Sequence, residues 1–313
     1  MSLSNFNLQL HQAIEICRKH GLDSPSKITR FSKGMINDVF SLDDKYVIKI
    51  ETGELQTPRT HKEKAILDML WKEGIACPQT YAVDDSKEVI PYSFILMEHV
   101  PGATLSEVMP TLRTERKNDL LQKIGRTLGK IHSIQFSCFG DFFSEGTFCG
   151  QTQYANYMTE RITALETALL QSRVLPETTI KDVARYFRHV DASNQPIKGS
   201  LIHGNFVPDN ILIHQGDVRA VVDLEFAHAG RSDEEVAIFL YRTLQMDPDA
   251  CKHFLAGYKA VHSLDSEFKK KVYAYNLLYY LKVLPSVPQW THRPDKQKEY
   301  VDQTKELIAR VLK

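Results

Sequence analysis

No charge of either sign predominates in this 313-residue chain: lysine plus arginine number 39, and aspartate plus glutamate number 39. Without a global basic field, nucleic acid is not the expected partner. Cysteine is scarce and unpatterned. Cys17, Cys77, Cys138, Cys149 and Cys251 are an odd set with no Cys-x-x-Cys spacing. That argues against a disulfide framework or structural zinc site and for reduced thiols in a cytoplasm. The opening MSLSNFNLQLHQ lacks the basic flank and apolar run of a signal peptide. No window approaches the run of about 20 apolar residues that a membrane span needs. Internal repeats and low-complexity tracts are missing as well. The expectation is a soluble, cytoplasmic protein with ample core for one large or two ordinary domains.

What is present changes character about a third of the way along. Residues 5–20 carry apolar positions at Leu8, Leu10, Ile14 and Ile16 and stop at Gly21, the pattern of a short helix. Three strand-like runs follow, ITRFS, DVFSL and KYVIKIE, the last two joined by a turn at Asp43-Asp44. HKEKAILDMLWKEG reads as a helix with Ile66, Leu67 and Leu70 on one face, and QTYAV and YSFILME as two more strands. After Pro101-Gly102 the chain turns helical, with LLQKIGRTLGKIHSI, TERITALETALLQ and IKDVARYFRHV. A β island, SLIHGNFVPDNILIHQGDVRAVVDLE, interrupts these, with a turn at Gln215-Gly216-Asp217; beyond Asp233 the chain reads as helix. This predicts an α+β, two-lobed plan: a small sheet-plus-helix lobe over residues 1–99 and a large, mostly helical lobe over 100–313. Ligands favour the cleft between such lobes.

Several residue types fall in the order that an ATP-dependent phosphotransferase needs. Lys49 sits in the strand VIKI, and Glu63 early in the following helix can pair with it and orient it. The turn Lys33-Gly34-Met35-Ile36-Asn37 precedes that strand and can lie over phosphates, although Gly34 is its one glycine. Asn210 follows a His-Gly-Asn element, and Asp223 ends an apolar strand. An amide oxygen and a carboxylate near a β/γ-phosphate are suitable hard ligands for Mg²⁺, and Glu225 is a candidate second metal ligand.

On these residues the chain resembles the aminoglycoside phosphotransferase and choline kinase family, small-molecule kinases with a protein-kinase-like fold. The family's loop His-Gly-Asp-x-x-x-x-Asn corresponds to His203-Gly204-Asn205-Phe206-Val207-Pro208-Asp209-Asn210, followed by a hairpin and VVDLEFA. Its helix pattern Glu-x-x-x-Leu-x-x-Leu matches Glu63, Leu67 and Leu70, and its hinge resembles ILMEHVPG. The similarity runs from about Ile28 to the last helices. It implies ATP and Mg²⁺ as cofactors. Lys49 would lie on the α/β-phosphates, the backbone of Met97, Glu98 and His99 on adenine, and Asn210 and Asp223 on the metal. With little chain between Asp223 and the next helix, a small hydroxylated acceptor fits better than a protein.

Each residue also has a plainer reading. Lys49 alone is a solvated strand lysine, Glu63 a helix-surface charge, and Gly34 a turn glycine. His203 reads as a brace for the loop rather than a base. Tyr273, Tyr275, Tyr279 and Tyr280 read as core or interface, and Asp233-Glu234-Glu235 as the negative first turn of a helix.

The departure from the family is Asn205, which occupies the position of the carboxylate that takes the acceptor's proton. An amide oxygen accepts a hydrogen bond but not a proton. General-base contributions are about 10²–10⁴-fold, whereas positioning and charge neutralisation dominate phosphoryl transfer. Three readings stay open: a kinase that works slowly or with another proton acceptor, a nucleotide-binding pseudokinase acting through a protein partner, or a substituted residue. The first is the expectation. The acceptor, whether antibiotic-like, an amino alcohol or a sugar, is not written in the sequence.

Overall fold

A computed structural model describes residues 6–31, 37–52, 59–141, 150–190, 198–291 and 293–313. The phosphate-loop candidate Gly34, with Lys33, Met35 and Ile36, lies outside these residues.

The first lobe is built on a five-stranded antiparallel sheet in the order β1-β2-β3-β5-β4. Its strands are β1 (Ile28–Arg30), β2 (Asp38–Leu42), β3 (Tyr46–Ile50), β4 (Thr80–Asp84) and β5 (Phe94–Glu98). Asp43 and Asp44 both take positive φ, 53° and 52°, within the three-residue connection between the paired Leu42 and Tyr46, a conformation that aspartate tolerates in turns. Side chains alternate across a strand, so the sheet has two apolar faces. Phe40, Leu42, Tyr46, Ile48, Ile50, Phe94 and Leu96 pack with Ala13, Ile16 and Cys17 of helix α1 (Leu10–Lys19). Ile95 and Met97 pack on Ile66, Leu67 and Leu70 of α2 (Thr60–Lys72). The parity of β3 puts Lys49, the register partner of Ile95, on this second face. Glu63 lies four and seven residues before Leu67 and Leu70, hence on the same buried stripe of α2.

The second lobe begins after β5. Two short elements, β6 (Ala103–Thr104) and α3 (Leu105–Val108), lead into α4 (Thr114–His132). Two small strands, β7 (Gln135–Phe136) and β8 (Gly140–Asp141), precede α5 (Tyr154–Ser172) and α6 (Glu177–Val190). Four strands follow: β9 (Gly199–Ile202), β10 (Ile211–His214), β11 (Asp217–Val221) and β12 (His228–Gly230). The chain closes with α7 (Ser232–Ile238), α8 (Pro248–Lys259), α9 (Phe268–Val283) and α10 (Pro294–Val311). Helices α4 and α8 approach closely: a Cβ on Gly125 would stand 2.0 Å from the Phe254 carbonyl oxygen, and one on Gly257 1.9 Å from that of Gln122.

The β island predicted from sequence is two sheets, not one. β9 joins β7, β12 and β8, while the β10–β11 hairpin pairs with β6. Strands of two or three residues carry too little alternation to be read locally; their partners create them. The split leaves residues 203–210 as the link between two sheets, projecting the loop from rigid strand ends on both sides. Long-range bonds tie the lobes, among them Val221 N–H to the Ala76 carbonyl at 3.0 Å and Leu224 N–H to Glu63 Oε1 at 3.1 Å. Among the described residues no helix is long and apolar enough to cross a membrane.

Candidate active site

Lys49 is the charged centre of the cleft. Its Nζ lies 2.9 Å from Glu63 Oε2, 2.6 Å from Asp223 Oδ1 and 3.6 Å from Glu225 Oε2. Burial alone would lower the lysine pKa, but the three carboxylates outweigh it and raise it above the ordinary value. The ammonium is therefore a fixed cation. Glu63 accepts from Lys49 with one oxygen and from Leu224 N–H with the other, so a single carboxylate orients both the lysine and the strand end that carries Asp223. Glu225 is buried and accepts from Asn37 Nδ2 at 2.7 Å, joining the start of β2 to the same centre.

The loop after β9 is shaped by its backbone. Gly204 has φ +80°, and a Cβ there would lie 2.2 Å from the Phe226 carbonyl oxygen, so only glycine fits. Asp223 itself takes φ 67°, an uncommon value for a residue with a side chain, of the kind that collects at functional sites. Burial pushes the Asp223 carboxyl up, but Lys49 beside it brings it below the usual carboxylate range. Asn205 Nδ2 faces Asp223 Oδ2 at 3.4 Å, and Asn210 Nδ2 donates to the Asn205 carbonyl at 3.0 Å. The structure thus brings Lys49, Glu63, Asn205, Asn210, Asp223 and Glu225 together.

A magnesium ion fits this donor set. Asn210 spends its NH₂ on the loop, which leaves its side-chain oxygen available, and the Asp223 carboxylate is half-buried. Both are hard oxygen donors, and Mg²⁺ typically takes one or two protein carboxylates with the rest from phosphates and water. Among the described residues no group of three or more His, Cys, Asp or Glu side chains forms a metal site of its own, so any such ion depends on the nucleotide for further ligands.

Behind the loop lies a second set of contacts. His203 is fully buried; its Nε2 stands 3.1 Å from the Val222 carbonyl, and its Nδ1 accepts from Asn205 N–H at 3.3 Å. Those partners require the proton on Nε2, and burial lowers the imidazole pKa, so the ring is neutral. Glu235 accepts His203 N–H at 2.9 Å on one oxygen and Gly204 N–H at 2.7 Å on the other. His132 Nε2 also meets Glu235 Oε2 at 3.0 Å, and His132 Nδ1 meets the Tyr258 hydroxyl at 2.8 Å. Glu235 stands in the first turn of α7, as the acidic cluster suggests, but its role in holding the loop has no local signal: its partners lie 31 and 32 residues earlier. Of its neighbours, Asp233 pairs with Arg231 and Glu234 with Arg161. Asp209 is turned away from the loop's chemistry, accepting from the Ser106 hydroxyl in α3.

At the hinge, Met97 is buried within β5 between β3 and β4. The backbone N–H of Glu98 donates to the Gln79 carbonyl at 2.8 Å and that of His99 to the Lys45 carbonyl at 3.0 Å. The His99 ring stacks on Phe31, with centroids 6.3 Å apart.

Comparison with known proteins gives this geometry its context. Among curated proteins, acyl-CoA dehydrogenase family member 11 of Pongo abelii is 24% identical over 222 residues, 68% of this chain and 27% of that protein. The chain therefore spans about a quarter of that relative's length. KEOPS complex subunit Bud32 of Pyrococcus abyssi is 29% identical over 79 residues, 25% of this chain and 34% of its own. Among solved structures, a Ralstonia eutropha JMP134 protein assigned to the aminoglycoside phosphotransferases superposes with a TM-score of 0.72 at 16% identity, covering 98% of each chain. A thermostable mutant of aminoglycoside phosphotransferase APH(4)-Ia, complexed with ADP and hygromycin B, superposes with a TM-score of 0.67 at 18% identity, over 96% of this chain and 97% of its own. What these structures share with the chain is the fold, the bilobal, protein-kinase-like α+β architecture. The model of the phosphotransferase enzyme family matches residues 27–267, most of the sequence, and the chain belongs to that family.

Proposed function

We propose that this protein is an ATP- and Mg²⁺-dependent phosphotransferase that passes the γ-phosphoryl group to a hydroxyl of a small molecule. The observation that carries the reading is the Lys49 ammonium held 2.9 Å from Glu63 and 2.6 Å from Asp223. A cation fixed in a cleft beside oxygen donors suits the binding of nucleotide phosphates. The reading agrees with the ADP and hygromycin B bound by the similar APH(4)-Ia mutant. A magnesium ion held by Asp223 and Asn210 would supply charge neutralisation at the phosphates. Lys49 orients the phosphate chain, and Glu63 keeps Lys49 in place. The N–H groups of Glu98 and His99 are spent within the sheet, so adenine recognition at residues 97–99 uses other backbone groups. The lobe boundary at residues 99 and 100 is the hinge of this reading.

Asn205 has the position to accept the substrate hydroxyl's hydrogen bond through its side-chain oxygen, its NH₂ being turned to Asp223. It cannot take the proton, which then leaves late to water or to the transferred group. Asn205→Asp is expected to raise turnover by about 10²–10⁴-fold, measured as ADP release across aminoglycosides, amino alcohols, sugars and hydroxy acids. A fast wild type and a slower Asn205→Asp variant would overturn the assignment of 205 as the base position. The same amide supports a second reading, a pseudokinase that binds nucleotide and acts through a protein partner. It predicts nucleotide binding with no transfer by either form across the panel.

A further inference from the structure

Next to the catalytic loop, five elements bring charged side chains into one recess. Phe226 connects the two: its carbonyl abuts Gly204, and the Arg59 guanidinium at the start of α2 lies 4.8 Å above its ring. β12 sets His228 opposite both Ile202, one residue before the loop, and Asp141 at the end of β8. Asp141 holds Lys62 of α2 in an ion pair. Arg161 of α5 grips Glu234 of α7 through two parallel bonds, Nη1 to Oε2 at 2.7 Å and Nη2 to Oε1 at 2.5 Å. Lys282 of α9 reaches the same place. Its side chain is exposed to water; partial burial and the like charges of Arg161 and Arg59 hold its pKa below the ordinary lysine value, against the opposing pull of Glu234 and Asp141.

Among the described residues, Arg59, Lys62, Arg161 and Lys282 meet Asp141 and Glu234, which are already paired with Lys62 and Arg161; Glu51 accepts the Arg59 backbone N–H, and Glu225 acts on Lys62 from the side of Lys49. Arg59 and Lys282 have no carboxylate within ion-pair distance among the described residues. His228 adds no charge: burial lowers its pKa, and its Nδ1–H donates to the Phe226 carbonyl at 3.1 Å. The acidic groups across the loop, Glu63, Asp223 and Glu225, surround Lys49. An amine-rich acceptor would meet like charge here, whereas an anion would find two uncommitted cations beside the loop.

We infer that this recess holds the negatively charged end, carboxylate or phosphate, of a hydroxylated acceptor, with Arg59 and Lys282 as its counter-ions. The inference rests on the phosphotransferase reading above and narrows its acceptor away from polycationic antibiotics. The test sets acids against neutral or cationic partners of the same shape: 3-hydroxybutyrate with 3-hydroxybutyramide, and glycerol 3-phosphate and glycerate with glycerol and 3-amino-1,2-propanediol. Hygromycin B and gentamicin serve as polycationic probes. The Asn205→Asp form with ATP and Mg²⁺ is expected to release ADP with kcat/KM at least about tenfold higher for an acid than for its neutral partner, the carboxylate and phosphate arms separating the two anions. Lys282→Glu is expected to raise KM for that acid about tenfold or more while KM for ATP stays unchanged, and Lys282→Met to fall between. Equal kcat/KM within every pair, higher values for the cationic compounds, or an unchanged KM in Lys282→Glu would overturn the inference. If nucleotide binds but no compound yields ADP, the phosphotransferase reading fails, and calorimetric titration of the same pairs into nucleotide-loaded protein decides the charge question. Tighter acid binding, weakened by Lys282→Glu, sustains it; equal binding overturns it.

Discussion

The two sides of the loop at residues 203–210 are built differently. Behind it, Glu235 accepts two loop N–H groups and meets His132, which in turn meets Tyr258; His132 and His203 are wholly enclosed, and Glu235 is nearly so. In front, Asn205 reaches Asp223 at only 3.4 Å, and Asp223 is half-buried. A fully satisfied buried network rigidifies the segment it holds, whereas the open side keeps oxygen atoms uncommitted for a ligand. This explains how an asparagine can stand at position 205 without disturbing the architecture: the residue belongs to the face that does not hold the loop in place. The loop's geometry is a property of α7 and α4, and its open face a property of Asn205 and Asp223 in front.

The sharpest way to break this contrast is to remove the back. Glu235→Ala leaves the His203 and Gly204 N–H groups and His132 without their acceptor. Breaking a buried charged network of this kind costs about 3–5 kcal/mol, so the melting temperature should fall by on the order of 10 °C. A loss within 2 °C, roughly the size of a surface substitution, would show that the loop is held by something else.

On the front, Asp223→Asn keeps a residue that tolerates the left-handed backbone and removes the charge beside Lys49. The expected result is a modestly lower melting temperature without nucleotide, since Lys49 loses one partner, and no further rise on adding ATP with Mg²⁺, where the wild type is expected to rise. An undiminished shift would remove Asp223 from the metal site.

The smallest effect separates the two sides along the pH axis. His262, which packs on His132 and Tyr258 behind the loop, is lowered to about 4 by burial and then by His132. A lowered histidine contributes stability that is complete above its unfolded value near 6.5 and lost as pH falls towards about 4. Asp223, also lowered, loses its contribution only below the ordinary carboxylate range. Stability to denaturant should therefore fall from about pH 6.5 downward, and His262→Gln should reduce that first slope, leaving the part due to His203 and His228, without altering the decline below about pH 4. An unchanged slope in His262→Gln would place the early titration elsewhere.

Much of the site could be read from the sequence because its members are tied to local patterns. Lys49 follows from strand alternation, Glu63 from the spacing to Leu67 and Leu70, and the loop from His203-Gly204 with Asn210 at a fixed distance. The turns at Asp43-Asp44 and at Gly216 carry their own signal, since aspartate and glycine tolerate the positive φ they adopt; Gln215, at φ 51°, carries none. Glu235, Arg161 with Glu234, and Lys282 had no such mark. A glutamate in the first turn of a helix reads as a dipole partner wherever it occurs, and only its position under the loop distinguishes it.

By itself the sequence determined the order of elements, the two-lobed plan and the residue types gathered around Lys49, because periodicity, turn chemistry and motif spacing act over a few neighbouring residues. Tertiary structure alone decided that the β island divides into two sheets, that Glu235 supports the loop, and that Arg59, Lys62 and Arg161 gather beside it with Asp141 and Glu234. Those features arise between residues dozens to over a hundred positions apart, such as Lys62 with Asp141 and His132 with Glu235. Charges so distant in sequence interact only once the chain has closed, and their sum belongs to the cleft rather than to any one segment.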